Sequence, residues 1–457
     1  MRKKKVHIKT GSSVAMAMDV IESNKLGAVV IVESSFKPIG LATDGDIRRF
    51  LLSGGTIDQE IDACMNSNFT FAEQPLSREK LLKILDNGFA CVPVVDEFGV
   101  LVDLVNSSTI DYSPESRMFV RARAPVRLSL SGGGSDLTSY MQKMDKGAVL
   151  QASVNLYVRC TMKPLSGGMI KYTSIDFNSQ YEFKNLEDLM AATEDIGLLK
   201  SILEVIEPHF GFELIVGSDV RPKSGLGGSS AYVVAILGCF NELRNDKWTN
   251  KELVELAFKI ERIHFGNVGG WQDQYAAVYG GINYIEFTIN DNQIFPLRVP
   301  ENTIIELEEC LLLCDLGDVH DSNSIQGELQ KNIKSSQNIS AIQANVETCL
   351  QMKQALLEGE FLVLADLLNK TWEVKRTFSK EITTNEIDNF YERCLASGAL
   401  GGKLLGAGGA GFFLLFVNPA ERFKLLNELA IIGVKAHPVN ISQLGLKTWS
   451  LREKTNG

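Results

Sequence analysis

Along the first 113 residues, segments with apolar side chains at helical spacing alternate with compact β-rich runs. Residues 15–23 carry apolar side chains at helical intervals, and residues 27–32 form a compact β-rich run. A second such run, residues 38–43, ends in a polar turn, and residues 46–52 return to helical spacing. The pattern predicts a helix, two strands and a second helix, in that order.

The same order of elements returns further along this region. Residues 78–87 have helical spacing, residues 90–95 and 100–105 are β-rich runs, and residues 96–99 form a turn between them. Because a repeated order of elements is typical of duplicated units, we interpret residues 1–113 as an α/β domain built from two copies of one unit.

The character of the chain changes after a short linker, which we place at residues 114–118. Beyond it, glycine-rich loops alternate with β-rich runs and long helical stretches such as residues 332–376. We expect one large α+β body of two lobes, an N-terminal lobe at residues 119–290 and a C-terminal lobe at residues 291–457.

Composition and charge exclude some classes of protein. The formal net charge is −10, with 45% apolar and 22% charged residues. Nucleic-acid binding needs a basic surface, so we expect no nucleic-acid partner. No apolar run reaches about 18 residues and none follows the basic start, so we expect no signal peptide, no membrane partner and a cytoplasmic location. The eight cysteines are scattered, as is typical of buried thiols in a reducing compartment.

A glycine-rich turn is the strongest candidate for chemistry. A β-rich run at residues 212–216 precedes it, and an apolar helical run at residues 232–240 follows. Backbone N–H groups at such a helix start bind anions, and glycines let phosphates approach closely. The alternative is a plain glycine turn with a serine cap. The predicted ATP-binding residues are Gly225, Leu226, Gly227, Gly228, Ser229 and Ser230.

Two further glycine-rich segments accompany this turn. One leads from Arg127 through three consecutive glycines to Asp136, which either binds a ligand or caps its own turn. The other has the spacing Gly406-x-Gly408-x-x-Gly411, which also occurs in dinucleotide-binding loops. A dinucleotide fold needs a helix after this loop, and a β-rich run follows here, so we reject that interpretation.

Two carboxylates lie between these segments. Glu261 is near the end of a helical run, and Asp273 follows a Gly-Gly turn and starts the next helix. Phosphoryl transfer needs cations on the phosphates and a group that steers the acceptor hydroxyl. Taken alone, Asp273 is better explained as a helix cap and Glu261 as a solvated helix charge. Their position beside the glycine-rich segments favours a functional role.

Together, these motifs resemble those of the GHMP family of small-molecule kinases. The resemblance implies a two-lobed kinase fold with ATP and Mg²⁺ as cofactors. It implies that Asp273 is the catalytic carboxylate with Arg127 beside it, and that Ser229 and Glu261 are the Mg²⁺ ligands. The residues implied to bind the sugar are Gly133, Gly134, Asp136, Gly408 and Gly409.

Within that family, residues 118–457 resemble the heptose 7-phosphate kinase branch, with the fucokinase domain as a neighbour. The resemblance rests on residues 273–281, 372–376 and 399–409. It implies phosphorylation of the anomeric hydroxyl of D-glycero-D-manno-heptose 7-phosphate to the 1,7-bisphosphate, for nucleotide-activated heptose biosynthesis. A kinase for another sugar, such as fucose, and a catalytically silent nucleotide-sensing regulator stay open. The candidates for binding the acceptor phosphate are Lys163, Lys171, Lys375 and Arg376.

The N-terminal repeat contains Gly40-Leu-Ala-Thr43-Asp-Gly-Asp46, which resembles a motif of cystathionine-β-synthase-type (CBS) repeats. The resemblance implies that Thr43 and Asp46 hold the ribose and phosphate of an adenine nucleotide. The second repeat lacks this Thr-x-x-Asp pair, and the alternative is that both residues cap the following helix. Since CBS pairs often associate, a homodimer is our hypothesis.

Overall fold

The chain is known from a computed structural model, which describes residues 5–74, 84, 91–106, 118–244, 246–317, 322–334, 336 and 338–452. It divides into two compact units, residues 1–116 and 117–457. Of the predicted linker at residues 114–118, only Met118 lies within the described part, and it begins a strand.

Side-chain caps begin the two described helices of the first unit. Ser13 accepts the N–H of Met16 and begins α1 (Val14–Asn24), while Thr43 begins α2 (Asp44–Leu52). Between the helices lie β2 (Ala28–Val32) and β3 (Pro38–Thr43), and β1 (His7–Lys9) precedes them. Every residue of β2 is buried, as expected for the central strand of the sheet β1-β2-β3.

A second sheet of the first unit repeats this arrangement. Its strands are β4 (Ala72–Glu73), β5 (Val92–Val95) and β6 (Leu101–Val105). In both sheets the first two strands are parallel and the last two antiparallel. The two sheets share one topology, as expected for two copies of one unit. The predicted helix at residues 78–87 lies outside the described residues, apart from Ile84.

The first sheet of the larger unit is built around β8 (Lys146–Leu165). The strands β7 (Met118–Ser131), β11 (Gly211–Ser218) and β12 (Ile282–Thr288) pair with it, all antiparallel. The sheet is extended by β9 (Ile170–Ser174), β10 (Ser179–Phe183), β13 (Asn292–Pro296) and β18 (Lys447–Arg452). Since β18 pairs with β7, the last described strand lies in the sheet of the predicted N-terminal lobe.

The second sheet of this unit is antiparallel throughout, in the order β15-β16-β14-β17. Its strands are β14 (Leu311–Asp315), β15 (Ala399–Leu404), β16 (Phe412–Val417) and β17 (Lys435–Pro438). Rings of Trp372, Phe390 and Tyr391 surround Phe413 on β16. One hydrophobic core extends from the first sheet to one face of the second, and a separate core lies on the opposite face of the second sheet. Two sheets covered by helices agree with the predicted two-lobed α+β architecture.

Helices pack against both sheets of the larger unit. Their bounds are α3 (Thr138–Met144), α4 (Leu186–Ala191), α5 (Gly197–Ile206), α6 (Gly228–Leu243), α7 (Asn250–Phe258), α8 (Gln272–Tyr279), α9 (Glu301–Cys310), α10 (Ser322–Lys334), α11 (Ile339–Glu358), α12 (Phe361–Arg376), α13 (Asn385–Ala396) and α14 (Arg422–Ile431). A π-helical turn, Lys259–His264, continues α7. None of the helices that the structure describes is long and apolar enough to cross a membrane.

Candidate active site

A cleft of about 740 Å³ lies in the larger unit where three glycine-rich turns meet. Because β7 and β11 both run antiparallel to β8, they point in the same direction, and the turns that follow them lie at the same end of the sheet. The third turn joins β15 to β16. The predicted site residues that line the cleft are Arg127, Gly133, Gly134, Asp136, Gly225, Gly227, Gly228, Ser229, Glu261 and Asp273.

The turn between β11 and α6 has the backbone of an anion-binding loop. Gly225 and Gly227 have φ of 82° and 78°, the left-handed region that favours glycine. Leu226 between them is fully buried, and its carbonyl accepts the N–H of Arg127 at 2.9 Å. The first N–H groups of α6 have no partner within the helix, and the exposed Ser229 hydroxyl lies beside them. The loop can therefore cradle phosphates, as predicted.

Asp273 lies in the first turn of α8 and is held by Arg127. Nε and Nη2 of Arg127 lie 2.8 and 2.7 Å from Oδ1 of Asp273, and Nη1 donates to the carbonyl of Gly225 at 2.6 Å. Arg127 is buried, whereas the Asp273 side chain is 18% exposed. Among the described residues, no donor contacts Oδ2. One oxygen of the carboxylate is thus fixed, and the other is available to a ligand in the cleft.

Glu261 lies in the π-helical turn after α7 and is almost fully buried. Its Oε2 accepts hydrogen bonds from Ser230 Oγ at 2.5 Å and from Gln274 Nε2 at 2.7 Å. Gln274 follows Asp273 in α8, so the carboxylate of Glu261 is tied both to the phosphate-loop helix and to the helix that carries Asp273. π-Helical turns are often found at functional sites.

Ser229 and Ser230 point in different directions. Ser230 is buried against Glu261, whereas Ser229 is exposed and lines the cleft together with Glu261. Within the described ranges, no cluster of three or more acidic, histidine or cysteine side chains could enclose a metal ion. A metal in this cleft would therefore have few protein ligands, which fits the preference of Mg²⁺ for one or two protein oxygens plus substrate phosphates.

Asp136 connects the first glycine turn to α8. It is buried, and its two carboxylate oxygens accept the N–H groups of Gly134 at 3.1 Å and of Gln272 at 3.2 Å. Burial and the negative charge of Asp273 raise the pKa of Asp136. A Cβ atom on Gly270 would lie 2.0 Å from Oδ2 of Asp136, so the approach of α8 requires glycine there. Asp136 lines the predicted sugar site and also caps the helix of Asp273.

The third glycine turn packs directly on the phosphate loop. A Cβ atom on Gly406 would lie 2.5 Å from Cα of Gly225, so the two backbones are in contact. Gly406 and Ala407 line the cleft. The predicted sugar-binding residues Gly408 and Gly409 pack against Ile382 instead, and Gly409 donates its N–H to the carbonyl of Ile382 at 2.9 Å. The turn therefore lines the cleft through Gly406 and Ala407 rather than through Gly408 and Gly409.

Of the four predicted candidates for the acceptor phosphate, Lys375 lines the cleft. Lys171 pairs with Glu182, Arg376 pairs with Asp388, and Lys163 lies over the ring of Phe119. These three side chains are not part of the cleft wall. The structure therefore selects one basic residue from the set.

Lys403 is a basic residue of the cleft that the sequence did not single out. It is 3% exposed, and its Nζ donates to the carbonyls of Ser129 at 2.7 Å and Leu130 at 3.3 Å. Lys375 donates in the same way to the carbonyls of Leu404 at 2.8 Å and Gly406 at 2.7 Å. Burial and the positive charge of Arg127 lower the pKa of Lys403 to about 7, and burial and Lys403 lower that of Lys375.

Sequence reasoning also missed Gln274, whose amide bridges Ser230 and Glu261. Gln274 follows Asp273 directly, so its position beside a candidate carboxylate was the available signal. For Lys403 the signal was a single charge among glycines and leucines, in Gly401-Gly-Lys-Leu-Leu. A charge within an apolar strand is seldom buried without a reason.

In the first unit, Thr43 and Asp46 form a reciprocal cap on α2. Thr43 Oγ1 accepts the N–H of Asp46 at 3.2 Å, and Oδ2 of Asp46 accepts the N–H of Thr43 at 2.9 Å. Burial, the largest single contribution, raises the pKa of Asp46, but the Thr43 hydroxyl and N–H, which both donate to Oδ2, lower it together with Arg49, and the net shift is downward. The helix-cap interpretation is thus realised, and the adenine-nucleotide site at these residues stays a prediction.

Known proteins resemble both units. The family model described as GHMP kinases N terminal domain matches residues 197–281, and the CBS domain model matches residues 1–53. D-glycero-alpha-D-manno-heptose 7-phosphate kinase of Campylobacter jejuni is 33% identical over 73% of this chain and 99% of its own length. L-fucokinase/L-fucose-1-P guanylyltransferase of Bacteroides fragilis is 25% identical over 71% of this chain and 37% of its own length. The crystal structure of a D-glycero-D-manno-heptose 1-phosphate kinase from Bacteroides thetaiotaomicron is 29% identical, with a TM-score of 0.60 over 72% of this chain and 98% of that chain.

Proposed function

Because the chain belongs to the GHMP kinases, as an ATP-dependent phosphotransferase that acts on a sugar, we propose that its acceptor is D-glycero-D-manno-heptose 7-phosphate, phosphorylated on the anomeric hydroxyl. The observation that carries the proposal is the placement of Asp273. Asp273 lines the cleft, and Arg127 ties its Oδ1 to the loop that would hold the phosphates of ATP.

In this proposal Asp273 accepts the proton of the attacking anomeric hydroxyl through Oδ2. The role of Arg127 is to fix the carboxylate and to supply positive charge beside the phosphate loop. Asp136 caps α8 and so sets the position of Asp273 relative to the sugar. Phosphoryl transfer depends mainly on such positioning and on charge neutralisation, which is what these three residues provide.

Mg²⁺ would be held by Glu261 and the hydroxyl of Ser229, which both line the cleft. When bound, the ion neutralises phosphate charge during transfer. Ser230 and Gln274 keep the Glu261 carboxylate in place. Glu261 and Ser229 fit a Mg²⁺ ion, since Mg²⁺ needs few protein oxygens when it also binds nucleotide phosphates.

The likeness to the heptose 7-phosphate kinase supports a phosphorylated heptose as acceptor. Two other acceptors compete, because relatives are named for L-fucose and for heptose 1-phosphate. Among the residues that the structure describes, Lys375 and Lys403 of the cleft wall contact no carboxylate, which favours an acceptor that carries a phosphate. A free sugar such as fucose would give these two ammonium groups no counter-charge.

The test is ATP consumption by the purified chain with D-glycero-D-manno-heptose 7-phosphate, the corresponding 1-phosphate, the unphosphorylated heptose and L-fucose. We expect efficient turnover of the 7-phosphate alone, with phosphate appearing on C1 of the product. Efficient turnover of fucose would overturn the proposed acceptor. If no sugar is turned over by the wild-type chain and Asp273→Asn retains its biological effect, the protein is a nucleotide-sensing regulator.

The first unit adds a second, regulatory part to the proposal. The match to a CBS domain supports an adenine nucleotide at Thr43 and Asp46 and a homodimer. A cytoplasmic location also belongs to the proposal, and it is supported by eight cysteines that are all free. Sedimentation of the full chain as a monomer at micromolar concentration would contradict the homodimer.

A further inference from the structure

Two lysines in the wall of the cleft, Lys375 and Lys403, contact no carboxylate among the described residues. Among the described residues, Lys375 and Lys403 donate only to main-chain carbonyls, two each, although an ammonium group has three N–H donors. Part of the Lys375 side chain is exposed, but its ammonium group is enclosed. Buried charges are costly unless a counter-charge is present, so this pair is suited to an anion.

The other cations of the cleft are already engaged. Arg127 is paired with Asp273, Arg221 with Asp315 and Arg262 with Glu261. Lys223 lines the cleft too, but it is exposed and belongs to the phosphate loop itself. Within the described part of the cleft wall, Lys375 and Lys403 are therefore the enclosed cations that contact no carboxylate.

Both lysines adjoin the turn that we assign to the sugar. Lys403 donates to Ser129 and Leu130, just before the turn that ends in Asp136. Shortly after Lys375, Phe378 packs against Gly134 of that turn, where a Cβ atom would lie 3.4 Å from its ring. The apolar side chains Ile325, Leu329 and Ile382 complete this part of the wall. The pair thus lies between this turn and the turn of Gly406, which packs on the phosphate loop.

We propose that Lys375 and Lys403 bind the phosphate group that the acceptor sugar already carries. This inference rests on the proposed function, since it assigns the residues that recognise a sugar phosphate. Each lysine keeps one N–H for a phosphate oxygen while the other two hold the carbonyls of the surrounding turns. The pair would distinguish a sugar phosphate from the same sugar without phosphate.

The experiment compares Lys375→Met and Lys403→Met with wild type on heptose 7-phosphate and on unphosphorylated heptose. We expect each variant to raise KM for the phosphorylated acceptor by about 10- to 100-fold, the loss expected for a charge-assisted hydrogen bond. The ratio of kcat/KM for phosphorylated heptose to kcat/KM for unphosphorylated heptose should fall by a similar factor, whereas a merely structural role would lower both values together. Lys171→Met is the matched control, because the Lys171 side chain is 43% exposed and lies outside the cleft wall.

A binding measurement keeps the inference testable if the wild-type chain phosphorylates neither sugar or if Lys403→Met does not fold. Inorganic phosphate at millimolar concentration should raise the Tm of the wild-type chain and of Lys171→Met, but not of Lys375→Met. Wild-type turnover of heptose 7-phosphate with unchanged KM in both variants would overturn the phosphate site and leave the proposed function standing. A rise in KM for ATP alone would also overturn it, because the lysines would then serve the nucleotide.

Discussion

The hydroxyl of Ser230 lies 2.5 Å from Oε2 of Glu261, and the neighbouring Ser229 points into the cleft instead. Consecutive serines at the start of α6 therefore have separate tasks. The buried one orients the carboxylate, and the exposed one remains available to a ligand. Successive residues of a helix are about 100° apart around its axis, so this division follows from the position of the two serines in the first turn.

Replacing the two serines separately tests which of them binds the metal. Ser229→Ala should raise the Mg²⁺ concentration for half-maximal activity about tenfold, because a metal ligand is lost. Ser230→Ala should change this concentration less, since it removes only one of the two hydrogen bonds that orient Glu261 and leaves the one from Gln274. Activity measured over a Mg²⁺ titration at saturating ATP provides the values. A larger shift in Ser230→Ala than in Ser229→Ala would make Ser230 the ligand.

Asp273→Asn should lower kcat by about 10²- to 10⁴-fold, because the amide cannot accept the proton of the attacking hydroxyl. The side chain keeps its size, so Arg127 and the phosphate loop should stay in place. ATP should therefore raise the Tm of the variant as much as that of wild type. Single-turnover rates with the heptose phosphate measure the loss, and a variant with unchanged kcat would contradict the assigned role.

Gly406→Ala should weaken ATP binding, because the new methyl group would lie 2.5 Å from Cα of Gly225 and displace the phosphate loop. The residue also has a positive φ of 68°, which alone costs about 1 kcal/mol for alanine. Gly433→Ala is the matched control, with φ of 72° and no atom within 4 Å of the new group. We expect a KM for ATP at least about fivefold higher in the first variant only. Equal values in the two variants would mean that the contact between the turns is unimportant.

The acceptor affinity should depend on pH through Lys403. Arg127 on β7, Cys349 on α11 and Lys375 on α12 face this ammonium group, and burial and Arg127 lower its pKa to about 7. Above pH 7 the free enzyme loses this proton while the acceptor phosphate is already a dianion. KM for the phosphorylated acceptor should therefore rise with pH, by up to about tenfold per unit between pH 7.5 and 9.

The Lys403→Met variant is the control for this pH dependence of KM. In Lys403→Met the dependence should weaken, because only Lys375 remains and the loss of the neighbouring charge raises its pKa. Initial rates at several acceptor concentrations between pH 6.5 and 9 give KM at each pH. A KM that falls as the pH rises would contradict a cationic phosphate site.

Thr43→Ala should lower the free energy of unfolding of the first unit by about 1 kcal/mol, because it removes the cap of α2. Thr249→Ala is the counterpart in the larger unit, since Thr249 and Glu252 form the same capping box on α7. Chemical denaturation with probes in each unit separates the two effects. If AMP also binds at Thr43, it should raise the Tm of wild type but not of Thr43→Ala.

Local patterns were sufficient to predict most of the elements and the loops of the site. Thr43 and the apolar run before it mark a strand end and a helix start, and Gly225 and Gly227 mark a turn that only glycine adopts readily. These features depend on neighbours in the sequence. The Arg127–Asp273 pair was predictable only through the resemblance to a family, since nothing local in the sequence joins residues so far apart.

The remaining features of the site depend on tertiary packing. Ser230 faces Glu261 because α6 is buried along most of its length and is fixed in rotation by the surrounding core. Lys403 lies on a strand whose other residues are apolar or glycine, and its carbonyl partners come from β7. The position of Gly408 and Gly409 against Ile382 likewise follows from a segment that enters from elsewhere in the chain. No spacing rule in the sequence encodes such contacts.

The pairing of β18 with β7 has a consequence for synthesis on the ribosome. Residues 118–131 leave the ribosome roughly 15–60 s before residues 447–452, at about 5–20 residues per second. During that interval one edge of β7 has no partner, and an open edge invites pairing with other chains. Positive charge on this unpaired edge comes from Arg121 and Arg123, which lie opposite Trp449 and Lys447 in the complete sheet. Nascent chains would therefore repel one another at the edge of β7 until β18 has been synthesised and pairs with it.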